Sequence, residues 1–216
     1  GISTFRDAGG LWDKYPVMQV ASAEGYVRDP ELVIDFYNER RKQLLDVEPN
    51  AGHTGLAELE KDFNVTVVTQ NVDNLHERAG STHVIHLHGE LTKVCSSRDP
   101  YNPRYVRELK PEEYEVKMGD KAGDGSQLRP FIVWFGEAVP EIETAIGYVE
   151  KADIFVIIGT SMNVYPAAGL LNYVPRTAEV YLIDPKPVDT HSMRQIHVIQ
   201  KGASEGVKEL KTEILH

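Results

Sequence analysis

Two short polar segments, each following an apolar and β-branched run, carry the residues with the clearest chemical potential. The first is TQNVDNLH at residues 69–76, and the second is HLHGEL at residues 86–91. Ligands of parallel α/β sheets bind at the carboxyl ends of the strands, so we expect the polar side chains of both segments to meet at one edge. These side chains are Gln70, Asn71, Asp73 and His88. Amides and carboxylates can hydrogen-bond a carboxamide and sugar hydroxyls, and a neutral histidine can accept a hydroxyl proton near physiological pH.

Each of these residues also has a structural interpretation. Asn and Asp are common in ordinary strand-to-helix turns, and a lone histidine such as His88 more often caps a strand. His86 lies on the same side of the predicted strand as His88, so the two could form a metal-ligand pair. No cluster of cysteines or carboxylates in the sequence completes such a metal site, and we therefore do not expect one.

A possible carboxylate clamp lies upstream, in the string FYNERR. Tyr37 and Arg40 are three residues apart and share one face of a predicted helix. A phenol and a guanidinium together can hold a terminal carboxylate. The alternative is a solvated basic face, because Arg40, Arg41 and Lys42 form a run.

Two further segments have the composition of binding loops. The glycine, threonine and serine at residues 159–161 end an Ile- and Val-rich strand, where small residues let a nucleotide approach the backbone. The segment VWFGE at residues 133–137 could pair with an extended peptide by strand addition. The alternatives are a plain strand-to-helix turn for the first segment and a buried strand end for Val133 and Trp134 of the second. Gly136 and Glu137 fit the rim of a cleft better.

The elements that must position these residues alternate along the chain. Apolar periodicity predicts helices over residues 30–46, 51–63, 74–79, 141–150, 166–173 and 204–215. β-branched runs predict strands over residues 65–69, 84–87, 132–135, 154–158 and 180–183. Strands alternating with helices imply a parallel sheet covered on both faces. Residues 92–129 break this rhythm, since they are polar and rich in turn signals, and we expect a small inserted module there.

Composition limits the class of protein. The chain has 216 residues and a formal net charge of −10, which argues against nonspecific nucleic-acid binding. No apolar run is long enough to cross a membrane. The single cysteine cannot form an internal disulfide and fits a reducing cytosol. We therefore expect a cytoplasmic monomer with no nucleic-acid or membrane partner.

The quoted motifs resemble those of the sirtuins, the NAD-dependent protein-lysine deacylases, and the resemblance covers nearly the whole chain. It implies a Rossmann-like parallel α/β sheet with helices on both faces and a small side lobe. The whole of residues 1–216 would form one catalytic domain, with side-lobe insertions at about residues 28–62 and 92–129. The implied cofactor is NAD, the implied substrates are acylated lysines of proteins, and the implied products are nicotinamide and O-acyl-ADP-ribose.

The resemblance also implies roles for individual residues. Asn71 would orient the nicotinamide ribose, Asp73 would hold the carboxamide, and His88 would be the general base. The other implied cofactor contacts are Phe5, Arg6, Gln70, Val72, Gly159, Thr160, Ser161, Asp184 and Ala203. The implied substrate contacts are Tyr37, Arg40, Val133, Trp134, Phe135, Gly136, Glu137, Val164 and Tyr165. The family usually carries Asn where this chain has Asp184, although a carboxylate suits a ribose diol equally well.

Three features refine the expected activity. FYNERR resembles the sirtuin branch whose Tyr-x-x-Arg pair lies in the acyl pocket, which implies succinyl- or malonyl-lysine as substrates beside acetyl-lysine. Most sirtuins hold a structural zinc with four cysteines, whereas this chain has only Cys95. We therefore expect no zinc and expect packing alone to hold residues 92–129. The family's phosphate-binding Gly-Ala-Gly turn would precede Gly1, so we expect the native protein to be longer at its N-terminus.

Two other classes of function stay open at this point. One is an NAD hydrolase or ADP-ribosyltransferase on the same fold, in which water or another nucleophile takes the ribose. The other is a noncatalytic module that binds NAD or ADP-ribose. His88 and the Tyr37–Arg40 pair argue against a passive module, because simple binding needs neither.

Overall fold

A computed structural model describes residues 14–159, 167–190 and 194–216 of the chain. These residues belong to two compact units. Among the described residues, the first unit comprises 14–48, 71–74 and 86–140, and the second comprises 49–70, 75–85, 141–159, 167–190 and 194–216. No helix of the described residues is long and apolar enough to span a membrane. The side-lobe boundaries expected from the sequence stay a prediction.

Helices and strands alternate through much of the described chain. In chain order the helices are α1 (Val17–Val20), α2 (Ala23–Arg28), α3 (Pro30–Leu45), α4 (Ala51–Glu58), α5 (Leu75–Arg78), α6 (Ile142–Val149), α7 (Ala167–Leu170) and α8 (Ala203–Ile214). The strands are β1 (Val67–Thr69), β2 (Val84–His86), β3 (Gly89–Ser96), β4 (Arg107–Glu108), β5 (Leu128–Ile132), β6 (Ile154–Ile158), β7 (Glu179–Ile183) and β8 (His197–Ile199). Most predicted elements are therefore present within a few residues of their expected bounds, and the α/β fold class is confirmed.

Helix α3 is the longest element of the first unit, and its sequence explains both of its ends. The Asp29 carboxylate accepts the backbone N–H of Leu32 at 3.2 Å, which satisfies one of the free donors at the helix start. Pro30 occupies the first turn, where its missing N–H costs nothing. The apolar face of α3 is buried, and it presents Tyr37 to the interior of this unit.

The first unit also contains an antiparallel sheet with strand order β4-β3-β5. The expectation of a strand over residues 132–135 in a parallel sheet is wrong, because β5 ends at Ile132 and pairs antiparallel with β3. Beyond Ile132 the chain leaves this ladder, and Phe135 forms only an isolated parallel bridge with Ser22. The apolar cluster of this unit consists of Ile34, Val94, Leu109, Val116, Ala122 and Leu128.

Hydrogen bonds as well as apolar packing hold the insert, so the expectation of packing alone is wrong. Ser96 is fully buried, and its hydroxyl donates to Asp124 Oδ2 at 2.5 Å. The same oxygen accepts the backbone N–H groups of Arg98 at 3.1 Å and Asp99 at 2.9 Å. Hydrogen bonds from Ser126 and Ser96 lower the pKa of Asp124 to about 2. This polar cluster fixes the turn after β3 to the turn before β5.

The second unit contains a parallel sheet with strand order β6-β7-β8. Its register pairs Ile158 with Ile183, so β6 and β7 end at the same edge. β8 is only three residues long and was not predicted. Helix α8 packs closely on β7, because a side chain at Gly206 would overlap the side chain of Ile183. α4 begins at the predicted cap, where Asn50 Oδ1 accepts the N–H groups of Gly52 and His53.

Candidate active site

Helix α3 buries both members of the predicted carboxylate clamp. Tyr37 is 2% exposed and Arg40 is 6% exposed, whereas Lys42 lies at the surface. The interpretation of this run as a solvated basic face is therefore wrong for Arg40. Burial of a guanidinium is unfavourable unless opposite charge or hydrogen bonds compensate it, so a buried arginine at this position needs such partners.

Arg41, the neighbour of Arg40, has a structural role. Its Nε donates to the carbonyl oxygen of Leu91 at 2.8 Å, and its Nη1 donates to Asn38 Oδ1 at 2.7 Å and to the Tyr114 carbonyl at 2.8 Å. Burial lowers the pKa of Arg41 to about 10, which leaves it charged at neutral pH. The Leu91 and Tyr114 carbonyls tie α3 to the start of β3 and to the insert, whereas Asn38 belongs to α3 itself.

The electrostatic surroundings of Arg40 include two of the predicted site residues. Burial lowers the pKa of Arg40, and the nearby phenol of Tyr37 and carboxylate of Asp73 oppose this shift. Tyr37 and Asp73 therefore lie within electrostatic reach of the same guanidinium. The first unit thus brings a residue of TQNVDNLH together with the Tyr-x-x-Arg pair of α3.

Hydrogen bonds join the two polar motifs directly. His86 Nδ1 lies 2.9 Å from the carbonyl oxygen of Asn71, and the N–H of Leu91 donates to the carbonyl of Val72 at 2.7 Å. Since the Asn71 carbonyl can only accept, His86 Nδ1 carries the proton in this contact. His86 is buried, so its role in the described structure is to fix the backbone of the first motif. The side chain of Asn71 itself lies at the surface.

His88 lies in the turn between β2 and β3, beyond the end of the strand that was expected to contain residue 87. Its backbone carbonyl accepts the N–H of Val133 at 2.9 Å, which joins HLHGEL to VWFGE. Burial lowers the pKa of His88, so its imidazole is neutral at pH 7. Among the described residues, none hydrogen-bonds the ring. A neutral, half-buried imidazole without an internal acceptor or donor can act as a general base.

The segment VWFGE is divided between the interior and the surface. Trp134 is 2% exposed, whereas Phe135 is 57% exposed and Gly136 follows at the surface with a φ of 91°. Glu137 is half-buried, and its carboxylate accepts internal hydrogen bonds, among them one from the Trp134 backbone N–H at 2.9 Å. The exposed part of this segment can contact a peptide directly, whereas Trp134 and Glu137 hold the segment in place through internal contacts.

The second unit holds several of the expected cofactor contacts. Gly159 follows β6 with a φ of 61° and donates its N–H to Ile183 at 3.2 Å, while the N–H of Asp184 donates to Ile199 at 3.2 Å. Gly159 and Asp184 therefore stand at the carboxyl ends of neighbouring parallel strands, where nucleotides bind in such sheets. Ala203 opens α8.

Gln70 provides a test of whether this chain fits a bound nucleotide. Its Nε2 is buried and has no hydrogen-bond partner among the described residues. A buried amide donor without a partner is costly, and a bound acceptor such as a ribose hydroxyl or a carboxamide oxygen would satisfy it. A side chain at Gly159 would meet no atom of the described residues within 4 Å. These residues therefore fit a dinucleotide.

Some predicted contacts lie outside the described residues. They are Phe5, Arg6, Thr160, Ser161, Val164 and Tyr165.

Arg129 is a residue near the site that sequence reasoning missed. It is 3% exposed, and its Nη1 forms an ion pair with Glu137 Oε2 at 3.0 Å. The centre of its guanidinium lies 3.9 Å from the ring centroid of Trp134. A signal for this role exists in the sequence, because Arg129 is the lone charge in the apolar run LRPFIVWF. A charge within a buried strand requires a buried partner.

Comparison with known proteins points to one family. The family model described as "Sir2 family" matches residues 1–166. A Bacteroides thetaiotaomicron protein named NAD-dependent protein deacylase is 85% identical over 98% of this chain and 90% of its own length. A Helicobacter pylori protein of the same name is 48% identical over 100% of this chain and 91% of its own length. A crystal structure of a Sir2 homologue in complex with NAD superimposes with a TM-score of 0.83 at 35% identity, covering 100% of this chain and 84% of that one.

Proposed function

The chain belongs to the Sir2 family and is an NAD-dependent protein-lysine deacylase, and from that premise we propose that it prefers acidic acyl groups. Its preferred substrates are succinyl- and malonyl-lysine in proteins, with acetyl-lysine as a weaker one. Tyr37 and Arg40 bind the terminal carboxylate of the acyl chain, and His88 is the general base. The expectations of a cytoplasmic monomer without a nucleic-acid partner stay predictions.

One observation carries this proposal: the buried Arg40 guanidinium lies in the same unit as Tyr37, Asp73 and His88. Burial lowers the pKa of Arg40, and the negative charge of Asp73 offsets that shift in part. A substrate carboxylate would bring a second negative charge and new acceptors to the guanidinium. An acetyl group has neither, so this stabilisation of the Arg40 guanidinium is specific to acidic acyl groups.

Individual side chains of this protein have separate roles in the reaction. When bound, NAD supplies a ribose whose bond to nicotinamide is broken in exchange for a bond to the acyl oxygen. Asn71 and Asp73 orient that ribose and the leaving carboxamide, with the Asn71 backbone held by His86. His88 accepts a proton from a ribose hydroxyl, which its lowered pKa allows at neutral pH. Phe135 and Gly136 offer an exposed edge for the substrate backbone.

The proposal is tested by comparing succinyl-, malonyl- and acetyl-peptides of one sequence with wild-type protein and with Arg40→Met. Hydrogen bonds to charged groups contribute about 1.5–3 kcal/mol each, which corresponds to roughly a 10- to 150-fold effect on kcat/KM. We expect Arg40→Met to lower desuccinylation by that factor and to change deacetylation about threefold or less. Mass spectrometry of peptide and nucleotide products provides both rates.

Lys42→Met is the matched control, because it removes a positive charge two residues away on the exposed face of the same helix. We expect it to leave both activities unchanged, which separates local recognition from a general loss of charge. Equal losses on succinyl- and acetyl-peptides in Arg40→Met would reject the carboxylate clamp. Free ADP-ribose formed at the same rate without any peptide would instead favour an NAD hydrolase.

A further inference from the structure

The hydroxyl of Tyr37 is already oriented before any substrate binds. Trp134 Nε1 lies 3.1 Å from Tyr37 Oη, and both side chains are 2% exposed. An indole N–H can only donate, so the Tyr37 oxygen must be the acceptor. The phenol proton is then left to point away from Trp134, and burial raises the pKa of Tyr37, which keeps that proton in place at neutral pH. Tyr37 is therefore set to donate to an incoming acceptor.

The indole that orients Tyr37 is itself held from one face by Arg129. The guanidinium centre lies 3.9 Å from the Trp134 ring centroid, a cation–π contact between two buried side chains. All three nitrogens of this guanidinium have acceptors. Nη1 bonds Glu137 Oε2 at 3.0 Å, Nη2 bonds the Ile132 carbonyl at 2.7 Å and Glu137 Oε1 at 3.2 Å, and Nε bonds the Pro130 carbonyl at 3.3 Å. The plane of the guanidinium is consequently fixed.

Glu137 holds the other end of the same arrangement. Its Oε1 accepts the backbone N–H of Trp134 at 2.9 Å and the hydroxyl of Tyr101 at 2.8 Å. The N–H of Glu137 donates in turn to the Trp134 carbonyl at 3.0 Å, which closes a turn through Gly136. One carboxylate thus fixes both the backbone of Trp134 and the cation that stacks on its ring.

We propose that Arg129 and Glu137 are positioning residues for acyl recognition: their ion pair fixes the Trp134 indole, and the indole directs the Tyr37 O–H into the acyl pocket. This inference rests on the proposed preference for acidic acyl groups and adds the residues that enforce it. Neither Arg129 nor Glu137 needs to touch the acyl chain. The same ion pair also holds the Glu137 carboxylate that accepts the Trp134 N–H, and the turn between these two residues contains the exposed Phe135 and Gly136.

The test compares Arg129→Lys and Glu137→Gln with wild type on succinyl- and acetyl-peptides. Lysine keeps the charge but loses the planar fork and the stack on Trp134, and glutamine keeps the shape but loses the charge. We expect kcat/KM for desuccinylation to fall about tenfold or more relative to deacetylation. Most of this loss should be a higher KM for the succinyl-peptide, because recognition of a remote carboxylate is largely uniform binding. Arg107→Lys is the control, since Arg107 forms an exposed ion pair with Glu113 at 3.8 Å in the same unit.

A double-mutant comparison with Tyr37→Phe distinguishes positioning from simple stability. If Arg129 acts through Tyr37, Arg129→Lys should cost little more desuccinylation once Tyr37→Phe is present. Parallel losses of both activities in Arg129→Lys and Glu137→Gln would overturn the inference. Should Arg129→Lys fail to fold, Trp134→Phe removes the indole N–H and shortens the ring while keeping an aromatic face for Arg129, and it must produce the same selective loss. If Tyr37→Phe itself is not selective, the proposed acyl preference fails; if it is selective and the Arg129 and Glu137 variants are not, only this inference fails.

Discussion

Gly89, the residue after His88, is the position where a single added methyl group should be most informative. Its φ is 88°, a left-handed conformation that costs a non-glycine residue about 1–2 kcal/mol. A Cβ there would also overlap the carbonyl oxygen of Phe131 and lie 2.9 Å from the Cα of Ile132. Both obstacles are backbone atoms of β5, so no side chain can turn aside to relieve them.

Gly89→Ala must therefore push β3 and β5 apart where Gly89 pairs with Ile132. The hydrogen bond from Val133 to the His88 carbonyl, at 2.9 Å, lies next to that pair and would weaken with it. One or two disturbed hydrogen bonds cost about 1 kcal/mol each. Together with the conformational strain, we expect a loss of about 2–4 kcal/mol in the free energy of unfolding of the first unit.

Gly119→Ala is the matched control. Gly119 has a φ of 101°, but a Cβ there would meet no atom within 4 Å. Gly119→Ala should show the conformational strain alone, about 1–2 kcal/mol, so the two variants should differ by the hydrogen-bond cost of about 1–2 kcal/mol. Urea unfolding measured by tryptophan fluorescence in a Trp12→Phe background reports this unit, because Trp134 is then the only tryptophan. Equal midpoints for Gly89→Ala and Gly119→Ala would refute the argument from backbone overlap.

Two further predictions concern the general base and the insert. The pKa of His88 is lowered from 6.5, so kcat/KM should not change with pH around neutrality and should fall only as the pH decreases through a value below 6.5. A midpoint of the pH profile above 6.5 would contradict this assignment. Unfolded His88 binds a proton at a higher pH than folded His88, so its contribution to stability is also lost as the pH falls through this window. His88→Ala should abolish deacylation and spare most NAD binding by calorimetry, and retained turnover would reject the base assignment. Ser96→Ala should lower the free energy of unfolding by about 1–3 kcal/mol, because two N–H groups and the Asp124 carboxylate lose a buried partner; an unchanged urea midpoint would show that packing alone is sufficient.

Much of the fold was predictable because its signals are local. The apolar spacing of α3, its Asp29–Pro30 start and the β-branched run of β6 each lie within one element. The errors arose where partners are distant in sequence. Residues 128–132 pair antiparallel with a strand that begins at Gly89, and no local pattern distinguishes this from a place in a parallel sheet. The hydrogen-bonded cluster of the insert likewise joins Ser96 to Asp124, 28 residues apart.

The candidate site was predicted only in part, again because some of its contacts depend on the tertiary structure. Spacing places Tyr37 and Arg40 on one face of a helix, but it does not say whether that face is buried. The sequence allowed a buried Trp134, but it placed Glu137 at the rim of a cleft and did not indicate that its carboxylate accepts internal hydrogen bonds while Phe135 is exposed. Arg129 was missed because its partners, an indole face and a carboxylate, become neighbours only after the chain turns at Gly136.

The sequence by itself determined the chemistry that is present: a histidine after a strand, amide and carboxylate groups after another, and a phenol beside guanidinium groups. Only the tertiary structure decided which of two adjacent arginines is bound by backbone carbonyls and which lies near Tyr37 and Asp73. Arg41 is bound by carbonyls from Leu91 and Tyr114, while Arg40 shares its surroundings with Tyr37 and Asp73. The physical reason is that burial and hydrogen-bond partners come from residues far along the chain, as with Trp134 and Tyr37, which are 97 positions apart. Such contacts arise only when the elements pack.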